Sequence, residues 1–268
     1  MTGSAKQGVA IVTGAAAGMG AASATRLAAE GWPLILCDLD ATRLDRAAED
    51  IRAAGVEAEV LAGDISDPSF PDRLVALIGE RPIGAVIHAA GLSPTRGDAK
   101  KIFAVNYDAT LRLLRVVQPR IVAGGCAVLI ASSSGYSMMH PKFEEAIAAL
   151  GLYEESSTLL ELMPDAGPAY ALSKLGVLRM VERHAPSFGA RGARIMSISP
   201  GLIDTEMGRA EQQAHPIMDE QLAKTPLGRY GTADEIASVA VFLCSPGASF
   251  VSGSDVKVDG GVIGAMRW

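Results

Sequence analysis

Short apolar runs rich in β-branched residues alternate along the chain with longer segments whose apolar positions recur every three or four residues. VAIVTG (9–14), PLILCD (33–38), AEVLAG (58–63), GAVIHAAG (84–91), AVLIAS (127–132), ARIMSIS (193–199) and DVKVDG (255–260) read as strands, and most are apolar nearly throughout. That is the pattern of strands buried on both faces of a parallel sheet. Segments such as MGAASATRLAAEG (19–31) and TRLDRAAEDIRAAG (42–55) carry helical spacing instead, and Gly55 is placed to cap the second. This alternation predicts an α/β fold: a doubly wound, parallel, seven-stranded sheet with helices on both faces and right-handed crossovers. A chain of 268 residues is expected to form it as a single domain, 1–268.

The rhythm breaks between Gly135 and Gly167. No strand pattern occurs there, yet Phe143, Ala146, Ile147 and Leu150 fall at helical spacing, as do Leu159, Leu162 and Met163. Gly151 separates the two groups and Pro164 ends the second. Segment 136–167 is therefore expected to be an inserted pair of short helices, with Glu144, Glu145, Glu154, Glu155 and Glu161 on its outer side. A structureless loop of that length is uncommon in a compact domain.

Composition excludes several function classes. The chain is 49% hydrophobic and 20% charged, ordinary for a globular protein. A formal net charge of -6 removes the basic footprint of a nucleic-acid binder. No apolar run approaches the roughly 18 residues of a membrane span, and MTGSAKQGVAIVTG reaches the first strand too soon for a signal peptide. Cys37, Cys126 and Cys244 are odd in number, far apart and set among apolar residues, as reduced core thiols of a cytoplasmic protein are. No His, Cys, Asp or Glu spacing predicts a metal site.

Chemistry enters with TGAAAGMG, where Gly14, Gly18, Met19 and Gly20 join the first strand to the first helix. Glycines there let backbone amides approach a pyrophosphate at the helix N-terminus, where the dipole favours negative charge. Asp38 ends the second strand, about twenty positions on, and is placed to accept from adenosine ribose hydroxyls while repelling a 2′-phosphate. Leu39 follows it, and the glycine loop holds no Arg or Lys, so NAD is expected over NADP. Asp40 reads as a helix cap. Further along, Tyr170 and Lys174 share one helix face. A phenol near pKa 10 is a poor base at neutral pH, and an ammonium close by stabilises its phenolate.

With these motifs in order, the chain resembles the classical short-chain dehydrogenase/reductase family over essentially its whole length, which implies a Rossmann-type sheet. The resemblance implies catalytic roles for Ser132, Tyr170, Lys174 and Asn106 (in FAVN), with Ser133 the alternative serine. Tyr136 and Tyr153 lack a lysine four residues on. It also implies cofactor contacts from Asp64 and Ile65, from Ala90 and Gly91, from Tyr170 and Lys174, and from Pro200, Gly201, Ile203 and Thr205. The chain departs from the family pattern at two places: His88-Ala89 precede Ala90-Gly91 where asparagines are usual, and Met196 replaces an asparagine. His88 reads as a packed, hydrogen-bonded residue. His184 and His215 have no partner pattern, and His140 stands near the expected pocket mouth.

An insertion between catalytic serine and tyrosine resembles the bacterial 3α-hydroxysteroid dehydrogenase/carbonyl reductase subgroup. That likeness implies a small, hydrophobic, cyclic alcohol or ketone (a steroid, terpenoid or aryl alcohol). Tyr136, Met138, Met139, Met207 and Met218, with Ser133, are the expected pocket wall. A 3-ketoacyl thioester reductase and a non-catalytic NAD-binding regulator are the alternatives. A homodimer or homotetramer is expected, the insertion favouring the dimer. The tail residues Val262, Ile263, Met266 and Trp268 are expected to pack across an interface or over the pocket.

Overall fold

The computed structural model of the protein describes residues 8–214 and 217–266. His215 and Trp268 lie outside the described residues. The strands are β1 (Val9–Thr13), β2 (Leu34–Asp38), β3 (Ala58–Ala62), β4 (Ile83–His88), β5 (Ile121–Ile130), β6 (Arg194–Pro200), β7 (Ile203–Asp204), β8 (Gly231–Thr232) and β9 (Ser254–Val258). The helices are α1 (Gly18–Ala29), α2 (Ala41–Ala53), α3 (Phe70–Ile78), α4 (Ala99–Phe103), α5 (Ala109–Val117), α6 (Pro141–Ala149), α7 (Ser157–Leu162), α8 (Ala166–Gly189), α9 (Glu206–Ala214), α10 (Ile217–Lys224), α11 (Ala233–Cys244) and α12 (Val262–Ala265).

Seven strands form one parallel sheet in the order β3-β2-β1-β4-β5-β6-β9. The chain builds outward from β1 to β3, then crosses back to β4 on the other side of β1. This reversal opens a crevice at the carboxyl ends of β1 and β4, the place where such sheets bind ligands. Every residue of β1 and β4 is buried, because each strand is covered on both faces. One core layer joins the sheet to Phe70 and Leu74 of α3, Leu111 of α5 and Leu175 of α8. The other joins it to Leu27 of α1, Leu44 of α2 and Ile236 of α11. Each such side chain contributes about 1.5–3 kcal/mol by leaving water.

The predicted strands are all present. β5 begins at Ile121, well before the expected 127, with Gly124 and Gly125 inside an irregular strand entry. There Gly124 adopts φ +81, a region a side chain disfavours. The two-residue pair β7–β8 is too short to leave a periodic signal.

The insertion is helical as expected, forming α6 and α7. Glu144 is a correction: it does not sit on the outer side but turns inward, its two oxygens gripping Arg179 of α8 at 2.6 and 2.7 Å. Arg183 of α8 donates to the carbonyls of Ile147 and Leu150. Residues 153–156 fasten to α5 through Arg115 to the Tyr153 carbonyl at 3.1 Å and Arg112 to Glu155 at 2.7 Å. The backbone N–H and hydroxyl of Ser156 donate to buried Asp108 at 2.8 and 3.0 Å. The insertion thus covers the α5–α8 face. In the tail, Val262 and Ile263 are buried within their own chain and Met266 is exposed. Among the described residues no helix is long and apolar enough to cross a membrane, and no group of metal-binding side chains occurs.

Candidate active site

The glycine loop closes against the turn after β4. A Cβ on Gly20 would lie 2.0 Å from the Gly14 carbonyl oxygen, and one on Gly14 would lie 2.8 Å from the Ala90 nitrogen. The backbone there leaves no room for side chains, which is the requirement of a loop that must approach a pyrophosphate. The cleft beside it is lined by Gly14, Gly18, Met19, Gly20, Asp38, Leu39, Asp64, Ile65, Ala90, Gly91, Thr205 and Met207. These are predicted residues from five separate stretches. Pro200, Gly201 and Ile203 sit at the end of β6 and in β7; a Cβ on Gly201 would meet the Asp259 backbone at 2.7 Å.

Asp38 is shaped by local bonds. One carboxylate oxygen accepts the Ala16 N–H at 2.9 Å and the other the Asp40 N–H at 3.0 Å. Asp40 caps α2 by accepting the Arg43 N–H at 3.0 Å, as expected. At Asp64, burial disfavours the carboxylate, but Lys101 and Ser66 outweigh it and hold the pKa below the usual value. Sequence reasoning missed the charged rim of this cleft. Glu206, at the start of α9, binds Arg43 of α2 at 2.8 Å and Arg96 at 3.1 Å, and Lys101 binds Asp64 at 2.6 Å. Arg43, the pair Arg96 and Lys101, and Glu206 come from three distant stretches and belong to no motif, so only the fold brings them together.

Two of the predicted catalytic side chains lie on α8. Tyr170 and Lys174 lie one turn apart, with the Lys174 ammonium 5.8 Å from the centre of the phenol ring. Lys174 is buried and donates to the Ile130 carbonyl at 2.8 Å; burial lowers its pKa from 10.5 to about 8. Burial raises the Tyr170 pKa, the hydrogen bond with Ser132 opposes that, and Glu211 adds to it. Ser132 accepts from the Ser134 N–H and hydroxyl at 3.2 and 2.9 Å, which leaves its own proton to donate. Gly135 permits this: a Cβ there would meet the Leu175 nitrogen at 2.9 Å, so the serine turn packs backbone-to-backbone on α8.

Asn106 lies in a single π-type turn, 104–108, between α4 and α5. Such turns are frequent at functional sites. Its side chain accepts the Leu92 N–H at 2.8 Å and donates to the Leu92 carbonyl at 2.9 Å, so it holds the loop after β4. A Cβ on Gly91 would sit 3.3 Å from Asn106 Oδ1 and 3.6 Å from Lys174 Nζ, so all three meet at one point.

The chain belongs to the short-chain dehydrogenase family. A family model described as short chain dehydrogenase matches residues 8–146, and one described as enoyl-(acyl carrier protein) reductase matches 152–263. Galactitol 2-dehydrogenase (L-tagatose-forming) of Cereibacter sphaeroides is 31% identical, over 94% of this chain and 93% of that protein. A 2,5-dichloro-2,5-cyclohexadiene-1,4-diol dehydrogenase of Sphingobium indicum is 28% identical over 94% of this chain and 95% of its own. The crystal structure of a short chain dehydrogenase from Burkholderia cenocepacia J2315 in complex with NADP superposes with a TM-score of 0.77 at 25% identity, covering 96% of this chain and 98% of that one. The protein is accordingly an oxidoreductase that works with a nicotinamide cofactor.

The expected pocket wall is scattered. Met207 faces the cofactor cleft. Tyr136 and Met138 pack against the core, and the Tyr136 hydroxyl donates to Asp255 at 2.8 Å. Met139 is exposed, Ser133 half-buried in the serine turn, and Met218 half-buried on α10. His140 caps α6, accepting the Lys142 N–H at 3.3 Å. Buried Glu211 of α9, which no motif marks, accepts the Thr95 N–H at 3.1 Å and also the Thr95 hydroxyl.

Proposed function

We propose that the protein interconverts a secondary alcohol and a ketone on a small hydrophobic cyclic substrate, with NAD as its preferred cofactor. The carrying observation is the juxtaposition of the Tyr170 phenol, the Ser132 hydroxyl and the Lys174 ammonium beside a glycine-lined cleft. A bound nicotinamide supplies or takes the hydride. Tyr170 accepts the alcohol proton in oxidation and returns it in reduction. Ser132 donates to the substrate oxygen and orients it. Lys174 stabilises the phenolate by its charge and holds the nicotinamide ribose. Asn106 holds the loop that backs the cofactor and keeps a water path from Lys174 to solvent.

Asp38 supports NAD: its oxygens keep lone pairs for ribose hydroxyls, and its charge opposes a 2′-phosphate. Arg43, on the next turn, is engaged by Glu206 and Asp40. Met207, which lines the cleft, supports an apolar pocket. The two relatives act on an open-chain polyol and a ring diol by name. The test is a panel of steroids, monoterpenols, aryl ketones and polyols, assayed with NAD and NADP by absorbance. A cyclic secondary alcohol is expected to lead, with NAD preferred by about tenfold or more, and Asp38→Ala is expected to erase that preference. Faster turnover of a 3-ketoacyl thioester with NADPH would replace this reading. Cofactor binding without turnover of any compound would point to a regulator.

The insertion closes the α5–α8 face, while edge strand β9 lies half-exposed and Phe242 and Phe250 project into solvent. A homodimer through that second face is the expected assembly. Light scattering that returned one chain or four would refute it.

A further inference from the structure

His88 replaces an asparagine of the family pattern and ends β4 fully surrounded by protein. Its ring lies between two threonines: Nδ1 is 2.7 Å from the Thr13 hydroxyl and Nε2 is 2.8 Å from the Thr110 hydroxyl. The direction of each bond follows from the far ends. Thr110 donates its proton to the Asn106 carbonyl at 2.8 Å, so its oxygen must accept from His88 Nε2–H. A neutral ring carries one N–H, so Nδ1 is the acceptor and Thr13 donates to it. The Thr13 oxygen then accepts the Ala90 N–H at 3.2 Å. A single directed chain thus runs from the cofactor-side amide of Ala90 through Thr13, His88 and Thr110 to the carbonyl of Asn106. Burial, with the Lys174 charge adding, pushes the His88 pKa down to about 3, so the ring stays neutral under working conditions.

The chain begins at a backbone amide, which releases no proton near neutral pH. It is therefore a brace and not a proton wire. It ties the end of β1, where the glycine loop starts, to the π-type turn that carries Asn106. Asn106 in turn meets Lys174 at Gly91. We propose that His88 is a positioning residue, one that sets Asn106, and through it Lys174, in register with the cofactor wall at Ala90. This rests on the alcohol–ketone reading of the site. A misplacement near 1 Å at such a site costs on the order of a hundredfold in rate, so loss of one link should cost less but remain measurable.

The test compares His88→Leu, Thr110→Val and the double variant in the full chain. Each single variant is expected to lower kcat about tenfold or more with KM for NAD within about threefold, and the double variant to fall no further than the worse single. Additive losses would overturn the brace, as would kcat within about twofold of wild type alongside a lowered Tm. Thr110→Val removes one link only and covers the case in which His88→Leu does not fold. A readout without turnover separates this proposal from the proposed function: ¹⁵N NMR of the labelled protein should show His88 as the Nε2–H tautomer, untitrated from pH 5 to 9. Thr110→Val should move the Asn106 side-chain amide signals. A Nδ1–H ring, a titration near the ordinary histidine value, or unmoved Asn106 signals would each refute the brace whatever the substrate. With those signals as expected, a wild-type protein that turns over no alcohol would refute only the proposed function.

Discussion

Replacing Tyr170 by Phe is expected to lower kcat by about 10²–10⁴-fold while NAD affinity stays within about threefold. In the proposed mechanism the phenol oxygen exchanges a proton with the substrate, while the ring itself packs beside Lys174. Phenylalanine keeps the ring and removes the proton carrier, so it tests chemistry with little change in shape. The pH dependence carries the same logic. Burial raises the Tyr170 pKa, so the phenol is protonated at neutral pH in the free protein. Ketone reduction, which needs the proton, should be level with pH through neutrality, and alcohol oxidation, which needs the phenolate, should climb. Lys174 is cationic below about pH 8 and loses its charge above it. The oxidation rate is therefore expected to stop climbing once that cation is gone. Steady-state absorbance assays and NAD fluorescence titration measure both quantities. A Phe variant within tenfold of the wild-type rate would sink the assignment of Tyr170 as proton carrier.

The legible parts of this molecule are those whose cause is local. Seven apolar runs become seven parallel strands because burial on both faces demands continuous hydrophobic sequence. The insertion is readable because Phe143, Ile147 and Leu150 fall at helical spacing, as do Leu159, Leu162 and Met163, and Ile147, Leu150 and Leu159 are indeed buried. What stayed hidden is non-local. The inward turn of Glu144 depends on Arg179, which a helix wheel of α6 alone does not contain. The rim of Glu206, Arg43 and Arg96 joins α9, α2 and the loop after β4. Glu211 meets Thr95 only because α9 packs against the turn 94–96. His88 stood out as a departure from pattern, yet its partners Thr13 and Thr110 are ordinary residues on distant elements. Residue type marks Tyr170 and Lys174 as candidates; their surroundings are set by topology.

The second large effect is on stability in acid. His88 and His184 are both buried, with pKa values lowered from 6.5 to about 3 and about 4, burial being the main cause for each. In the unfolded chain both titrate near the ordinary value, so between that value and pH 3 to 4 the unfolded state binds more protons than the native one. Stability therefore rises with pH over that window, is complete above about 6.5, and is lost as pH falls. At 1.36 kcal/mol per unit, the pair removes several kcal/mol, a large share of the roughly 5–15 kcal/mol of a typical domain. Native carboxylates held low, such as Asp64 and Glu144, lose stability in the same direction but at lower pH. His184 separates the contributions because it is remote from the cleft, packed edge-on against Tyr153 of the insertion at 5.0 Å. His184→Phe keeps an aromatic ring there and removes one titration. Unfolding free energies from urea titrations between pH 7 and pH 4 should then fall less steeply for the variant, by about 3 kcal/mol over the window. Equal slopes for the two proteins would mean that His184 protonates without cost in the native state, and the buried-histidine account of acid unfolding would fail.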